Sequence, residues 1–505
     1  MSANTFVTAD MPFTDSGNTA WVLAAAALVL FMTPGLALFY GGMVRTKSVL
    51  NMMMMSFITM GTVGTVWILW GYSETFGNDV GGGLIGNPFE HLGLSGVLDA
   101  IYGYVPADAA AGTAASGGIP GGAFVAFQVV FAIIAVALVS GAVADRAKFT
   151  TWTVFTVVWA TLVYFPAAHW VFAFNGFAAE TGGWIANKAE GLFLGGVGAY
   201  DFAGGTAIHI NAGVAGLALA ILLRGRVGWP KESMRPHNLT LVMIGAGILW
   251  FGWFGFNAGS ALSAGTLAAG VWVNTLGATA TAMLGWLITE KIRDGHATSL
   301  GAASGVVAGL VAITPACATV SPWGALVIGL VAGVGCALAV GLKFRFGFDD
   351  SLDVVGVHLV GGLIGTLLIG FLADATNSPT GAAGLSMNDG LFFGGGLGQL
   401  GAQAIGAFAV LIYSFIVTFA IGWVLHKTMG FTIAKEDEVS GIDLLEHAET
   451  AYDLASFGGS RAGTGGGGFV ASRTQSGTVP SPTRPTVEPT IEPTGAPTTK
   501  EEATR

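Results

Sequence analysis

Long apolar runs alternate with short polar segments along most of the chain. Eleven runs reach or approach the length of about 20 residues that a bilayer-spanning helix needs, and the eighth is the shortest. The runs comprise residues 19–43, 49–72, 121–144, 150–174, 203–223, 238–258, 266–290, 299–314, 322–342, 354–373 and 398–427. The pattern therefore predicts an all-α polytopic membrane protein with 11 transmembrane helices.

The basic residues of the loops fall almost entirely on one side of this predicted membrane domain. Fourteen Lys and Arg residues follow odd-numbered spans, from Arg45 after the first to Lys435 after the eleventh. A loop after an even-numbered span holds only Lys188. Because basic loops stay in the cytoplasm, the asymmetry predicts an N-terminus outside the cell and a C-terminus inside it. One missed or invented span would scramble the asymmetry, so it also supports the count of eleven.

Composition agrees with a chain that lies mostly in a bilayer. The sequence is 53% hydrophobic and 10% charged, with a mean hydropathy of +0.68, whereas average soluble proteins carry about 25% charged residues. Its 79 glycines suit helices that pack closely in lipid. The first 20 residues contain no Lys or Arg, which a secretory signal requires, so the first run is predicted to be a retained helix; the alternative is cleavage just upstream of it.

The polar segments divide the chain into four regions. Residues 458–505 are rich in Gly, Pro, Thr and Ser, cannot form a core, and are predicted to be disordered. The long loops 73–120 and 175–202 are predicted to cap the external mouth. The regions are an extracellular N-terminus (1–18), a transmembrane domain (19–428), a cytoplasmic segment (429–457) and a cytoplasmic tail (458–505).

Two histidine-containing segments repeat one spacing. In "DFAGGTAIHINAG" of the fifth span, Asp201 precedes His209 by eight residues, and in "DSLDVVGVHLVGG" of the tenth, Asp350 precedes His358 by eight. Glycines follow each histidine at four and seven residues, on the same helix face, where a neighbouring helix can come close. Because the segments lie five spans apart, their helices run in opposite directions. The chain is therefore predicted to hold two inverted five-helix repeats, spans 1–5 and 6–10, plus an eleventh helix.

His209 and His358 are predicted to form a functional pair near the membrane midplane, because ionisable groups within spans are functional by default. The alternative is that each histidine only bonds a backbone carbonyl between packed helices. Moving a bare ion through an apolar lumen would cost tens of kcal/mol in the Born limit. The pair therefore favours a small neutral molecule that hydrogen-bonds to imidazole, and it could also pass a proton.

Aromatic side chains near a hydroxyl and an amide form a second candidate site. A cation over an aromatic face gains up to about 2 kcal/mol when it is partly desolvated, so an aromatic cage would suit a small cation at a pore mouth. The alternative is aromatic packing against lipid or neighbouring helices. The residues are Phe127, Gln128 and Phe131 in span three and Trp253, Phe256 and Ser260 in span six.

Five motifs together resemble the ammonium transporter family (Amt/Mep, related to Rh proteins) over about residues 19–455. They are "DFAGGTAIHINAG", "GWFGFNAGSA", "ITPACA", "DVVGVHLVGG" and "YFPAAHWVF". The resemblance implies an eleven-helix homotrimer in the plasma membrane, with a pore in each protomer. It also implies that ammonium is recruited at an outer aromatic site and deprotonated, that ammonia passes twin histidines, and that electrogenic members convey the proton separately.

The same resemblance implies roles for individual residues. One departure is Phe172, which stands where the family's outer site usually has Trp, so that Trp170 or Trp184 could substitute. Gln128 and Phe127 are expected to line the pore beside the gate. The matched positions are His209 and His358 for the twin histidines, Phe131 and Phe256 for the stacked gate, Ser260 and Asp201 for the outer site, and Trp253 for the pore lining.

The resemblance also implies that residues 429–457 are a regulatory segment, against which PII signalling proteins would bind; the alternative is an ordinary solvated tail. The predicted ligands are ammonium and ammonia, and no nucleic acid, cofactor or metal is expected. Two histidines without a third ligand make a poor metal site, and the chain shows no nucleophile–base pair, so an enzyme is not expected. The remaining alternatives are a neutral-gas channel of the Rh type and an ammonium sensor.

Overall fold

The computed structural model describes residues 12–107, 114–187 and 198–452, and the predicted tail 458–505 lies outside these residues. Helices occupy all eleven predicted positions. Ten helices of the described chain are long and apolar enough to cross a membrane, whereas the eighth has 15 residues. The bounds are α1 Ser16–Met43, α2 Thr46–Phe76, α3 Gly121–Val143, α4 Phe149–Phe172, α5 Gly205–Leu222, α6 Leu239–Gly259, α7 Thr266–Asp294, α8 Ser299–Ile313, α9 Pro322–Phe346, α10 Val355–Leu372 and α11 Gly398–Thr428.

The remaining elements are short and lie in the loops or after α11. Strand β1 (Ile101–Tyr102) pairs antiparallel with β2 (Ile119–Pro120). Two helices, α12 (Lys435–Ser440) and α13 (Ile442–His447), follow α11. Further single turns are Leu92–Leu94, Pro379–Ala382 and Leu391–Phe393.

Equivalent helices of the two predicted repeats pack against each other. α1 lies along α6, and a Cβ on Gly245 would stand 2.7 Å from the carbonyl oxygen of Gly35, so only glycine permits this approach. α5 likewise contacts α10. First with sixth and fifth with tenth is the pairing expected of inverted repeats related by an axis in the membrane plane.

The core of the bundle is formed by α3, α4, α5 and α10. Between 67 and 83% of the residues in their most apolar windows are buried, against 33 to 56% for the other long helices. These four enclosed helices carry both histidines of the repeat and most of the predicted aromatic residues, so the candidate site lies inside the bundle.

Loops that the sequence assigns to one side share one end of the bundle, which we call the C-terminal face. The guanidinium of Arg45, after α1, lies 3.2 Å from Asp145, after α3, and 3.0 Å from Glu438 of α12. Arg224, after α5, lies 2.7 Å from the same Glu438. The segment after α11 is therefore docked on the basic loops, as the predicted alternation of spans requires.

Candidate functional site: a histidine pair beside an aromatic cavity

Both helices of the repeat begin with a π-helical turn that contains the histidine. The wide turn of α5 is Gly205–Ile210 and that of α10 is Val355–Leu359. Such turns break the regular register of an α-helix and are frequent at functional sites. They place His209 and His358 at corresponding positions of the two repeats.

The two aspartates of the repeat fix the beginnings of these helices. The carboxylate of Asp201 accepts four backbone hydrogen bonds at 2.6 to 3.0 Å, and that of Asp350 accepts two at 2.8 and 3.1 Å. The first amides of a helix lack partners within the helix, so these carboxylates supply them. The donors are the amides of Gly204, Gly205, Thr206 and Ala207 for Asp201, and those of Val354 and Val355 for Asp350.

The histidines meet where α5 and α10 cross. Nδ1 of His358 lies 3.4 Å from Nδ1 of His209, and the ring centroids are 5.4 Å apart at an interplanar angle of 22°. Both side chains are buried. Because a neutral imidazole carries one N–H, one Nδ1 donates to the other, and the two rings are opposite tautomers. The pair then offers one acceptor and one donor, the two Nε2 atoms, to a third molecule.

The crossing depends on two glycines of the repeat. A Cβ on Gly213 of α5 would strike the backbone of Leu359, the residue after His358. A Cβ on Gly362 of α10 would stand 3.0 Å from the side chain of Ile210, the residue after His209. The reciprocal contact confirms that these glycines lie where the opposite helix comes close, and it sets the distance between the rings.

Aromatic rings continue from the histidine pair in a chain of contacts. The Phe256 ring lies 6.0 Å from His209 and 4.4 Å from Phe131, which in turn lies 4.8 Å from Phe127. Trp253 stacks on His209 at 5.4 Å and 21°. The predicted gate and pore-lining residues are therefore contiguous, and the enclosed space beside the histidines has a volume of only about 10 Å³, the minimum for one water molecule.

A larger cavity of about 230 Å³ lies at the other end of this chain of rings, away from the C-terminal face. It brings together five residues of the predicted outer site and gate. Its lining is Phe124, Phe127, Gln128, Phe131, Phe172, Phe174, Phe177, Phe202, Ser260 and Leu262. Seven of these ten residues are phenylalanine, so the cavity is an aromatic cage with one amide and one hydroxyl.

Asp201 and two tryptophans stand apart from this cavity. Asp201 does not line it, and its oxygens bind the amides at the start of α5 instead. Trp170 packs against Trp184 and Tyr413, with centroids 5.8 and 4.7 Å away, and donates its Nε1–H to the carbonyl of Leu84. Phe172 therefore lines the cavity at the position where the outer site of the resembled family usually has Trp, and neither Trp170 nor Trp184 replaces it.

Sequence reasoning missed four phenylalanines of the cage: Phe124, Phe174, Phe177 and Phe202. Phe124 lies one turn before Gln128 on α3, so helical spacing alone pointed to it. Phe177 and Phe202 lie in the loop 175–202, which was predicted only to cap the mouth, and Phe174 was predicted to end span four but lies just after α4. Their position depends on how that loop folds back, which no periodicity reveals.

Replacing Asp201 by Asn should loosen the start of α5. The amide oxygen can still accept from two of the four donors, but the amide nitrogen cannot accept from the remaining two. Two lost hydrogen bonds of about 1 kcal/mol each should lower stability by about 2 kcal/mol. Thermal unfolding in detergent checks this as a lower midpoint than that of the parent.

Asp15→Asn is the matched control, because Asp15 caps α1 by accepting one amide, that of Asn18, at 2.7 Å. Asn serves as well as Asp at such a position, so the midpoint should hardly change. Equal midpoints for the Asp201 variant, the Asp15 variant and the parent would contradict the bracing role of Asp201.

Comparison with known proteins gives one result throughout. Residues 20–452 match the family described as the Ammonium Transporter Family. An ammonium transporter of Mycobacterium tuberculosis is 60% identical over 453 residues, which is 88% of this chain and 92% of that one. The crystal structure of Mep2 from Saccharomyces cerevisiae is similar with a TM-score of 0.71 and 33% identity, covering 84% of this chain and 88% of that chain.

A third similar structure is named Sensor Amt Protein. It has a TM-score of 0.72 and 27% identity, and the match covers 85% of this chain and 98% of that one. The match to the family model spans both histidine helices and the whole aromatic cage. The chain therefore belongs to the ammonium transporter family.

Proposed function

We propose that this ammonium transporter recruits ammonium in the aromatic cavity, deprotonates it, and conducts ammonia past His209 and His358 while the proton is conveyed separately. The observation that carries the proposal is the unbroken chain of rings from the cage to the histidine pair. Those rings join a cavity of about 230 Å³ to a constriction of about 10 Å³.

The cage suits a small cation that still holds part of its water. Aromatic faces attract the charge, and the hydroxyl of Ser260 donates to the carbonyl of Phe256 at 2.9 Å, which leaves its lone pairs free to accept from ammonium. The amide oxygen of Gln128 can accept a second N–H. Beyond the stacked Phe131 and Phe256 there is no comparable set of acceptors among the described lining residues. Charge is therefore costly there, and the neutral molecule is favoured.

The opposite tautomers of the histidine pair match the chemistry of ammonia. One Nε2 can accept an N–H of ammonia, and the other can donate to its lone pair. A proton added at one Nε2 can leave from the other ring, because the Nδ1 atoms share a hydrogen bond. The same geometry therefore serves ammonia and a relayed proton.

A current measurement tests the proposal. Proteoliposomes that contain the parent protein receive an ammonium jump, and current and internal alkalinisation are recorded together. Proton-coupled transport predicts a current that scales with ammonium. Ammonia flux without current would show a neutral-gas channel, and absence of both in correctly folded protein would reject transport.

Phe172→Trp should raise the apparent affinity for ammonium. Trp has the strongest cation–π face, and a gain of about 0.5 to 1 kcal/mol lowers the half-saturating concentration about two- to fivefold. The current at graded ammonium concentrations measures this. Phe89→Trp, on a loop residue that is 78% exposed and outside the cage, is the control. The same shift in both variants, or none in Phe172→Trp, would contradict cation binding at Phe172.

The orientation and assembly form part of the same proposal. The C-terminal face is placed in the cytoplasm of a plasma-membrane protein, because 14 of the basic residues follow odd-numbered spans. α8 is counted as a span as well, which brings the total to eleven, since it packs between α7 and α9. We also place a homotrimer interface on the exposed apolar helices and a PII-type regulator at residues 429–457, where α12 and α13 dock. The chain acts as a transporter and not as an enzyme.

A further inference from the structure

A separate cavity of about 380 Å³ opens at the C-terminal face. Two helices that line the small space beside the histidines, α1 and α8, and the segment that leads into α10 also line this cavity, each four to seven residues further along. They contribute Phe39, Val307 and His358 to the small space and Met43, Leu300 and Asp353 to the larger one. This order of residues places the larger cavity on the C-terminal side of the histidine pair, where a molecule that leaves the pair towards this face would arrive.

Lys343, near the end of α9, places its own ammonium group in the wall of the cavity, where two oxygen atoms bind it. Its Nζ lies 2.7 Å from Oδ1 of Asp353 and 2.9 Å from the carbonyl oxygen of Asp350. The side chain is 12% exposed and that of Asp353 is 29% exposed, so the pair borders the cavity space without being sealed from it.

The backbone of Asp353 adopts a left-handed conformation at the point where its carboxylate meets Lys343. Its φ is +62°, in the left-handed region that costs an ordinary residue about 1 kcal/mol or more. Strain of this kind persists where a function requires the conformation. The carboxylate of Asp350 already caps α10, so of these two aspartates Asp353 is the one that lines the cavity; Glu232, which also lines it, is exposed.

Arg226 also lines the cavity but differs from Lys343. Its guanidinium is fixed by two bonds to Asp349, at 2.9 and 3.0 Å, and lies 3.5 Å from Asp145. Lys343 ends in a primary ammonium on a flexible stem, held by two residues just before α10. Of Arg226 and Lys343, Lys343 is the one that can leave its oxygens while the fold stays intact; Lys231, which also lines the cavity, is exposed.

We propose that the Asp353 carboxylate and the Asp350 carbonyl form an inner ammonium site, which the side chain of Lys343 occupies until product ammonium displaces it. The inference rests on the proposed function, because ammonia must arrive there from the histidine pair. An ammonium ion carries the same charge as Nζ and the same kind of N–H donor, so it fits the same two oxygens at the same distances.

The chemistry at this site is a protonation. Ammonia that reaches the cavity takes a proton from hydronium, giving ammonium and water, and the new cation pairs with Asp353. A tethered lysine competes with it at an effective concentration in the millimolar range or above. Lys343 therefore keeps product ammonium from accumulating at the exit and blocking the next ammonia.

Lys343→Met removes the tethered cation and keeps the length of the side chain. Currents are recorded in liposomes of uniform orientation while ammonium on the C-terminal side is raised. We expect the variant to be half-inhibited at an ammonium concentration at least tenfold lower than the parent. Arg345→Met, which removes the same charge from an exposed position two residues further, should behave as the parent. Lys343→Met/Asp353→Asn should lose the added sensitivity.

The same recordings separate the two proposals. If the parent carries no flux without internal ammonium, the proposed function fails. If the parent conducts and Lys343→Met is inhibited no more readily than Arg345→Met, the inner site is overturned.

Chemical rescue provides a second test of the inner site in case the Lys343→Met variant misfolds. Lys343→Cys is made and then alkylated with bromoethylamine, which restores a lysine-like ammonium; the native Cys317 and Cys336 are fully buried. Alkylation should return the half-inhibiting concentration to that of the parent. No change on alkylation, in protein shown by mass to be modified, would equally overturn the site.

Discussion

His209→Ala/His358→Ala is expected to reduce the ammonium-driven current about 100-fold while the protein still folds. Each imidazole supplies one hydrogen bond to ammonia or to the moving proton in a space that admits about one small molecule. Loss of two such bonds, about 1.5 kcal/mol each, slows passage about 100-fold. The measurement is the current in proteoliposomes after an ammonium jump, normalised to the amount of inserted protein.

The double variant is more informative than either single one. Removing one ring leaves the Nδ1 of the other buried without its partner, at a cost of about 1 to 3 kcal/mol, so a single variant mixes loss of function with loss of stability. His296→Ala, at an exposed position after α7, controls for the loss of a histidine as such. An undiminished current in the double variant would show that the pair only packs the two helices.

Sequence patterns predicted the helices well because a bilayer demands long apolar runs. Each helix begins within three residues of the start of its predicted run, and the differences have local causes. α1 starts at Ser16, three residues earlier than predicted, because Asp15 accepts the amide of Asn18 and caps it. Hydropathy averages over many residues and cannot register a single cap.

The histidine pair was predictable because one spacing occurs twice. The repeat gave the partner of His209, the antiparallel sense of the helices and the glycines of the crossing, and the structure shows Nδ1 atoms 3.4 Å apart. It did not reveal what the aspartates do. Asp201 precedes His209 by eight residues because the capped start of α5 and its π-helical turn lie between them. Sequence periodicity contains no signal for such a turn.

The cage and the inner cavity were less accessible to sequence reasoning. Phe174 and Phe177 reach the cage through a loop whose course depends on distant contacts, such as the amide of Trp184 donating to the carbonyl of Gly83. Lys343 and Asp353 lie ten residues apart across a turn between two helices. A salt bridge of that kind depends on the φ of +62° at Asp353, which neither hydropathy nor residue spacing predicts.

Asp349→Asn is expected to destabilise the C-terminal face more than Asp201→Asn destabilises the start of α5. The carboxylate accepts from the backbone amide and the guanidinium of Arg226 at 2.8 to 3.0 Å and lies 3.4 Å from Arg146, which is fully buried. Removing one partner of a buried ion pair costs about 3 to 5 kcal/mol, because the remaining charges stay buried without compensation. Thermal unfolding in detergent should show a clearly lower midpoint.

Asp294→Asn gives the matched comparison. Asp294 pairs with Arg293 at 2.7 Å, but both side chains are more than 40% exposed, so water replaces the lost contact and the midpoint should hardly move. Equal shifts in the two variants would mean that the buried cluster does not hold the loops after α3, α5 and α9 together.

Acid should reproduce part of the Asp349 effect in the parent protein. Burial alone would raise the pKa of Asp349. The guanidinium groups of Arg226 and Arg146 outweigh that effect and hold this pKa below its usual value. A carboxyl whose folded pKa is lowered contributes stability above its unfolded pKa of about 3.9 and loses it as the pH falls through the folded value. The gap between the midpoints of parent and Asp349→Asn should therefore narrow below about pH 4. A gap that stays constant down to the folded pKa and beyond would mean that the charge of Asp349 is not what stabilises this face.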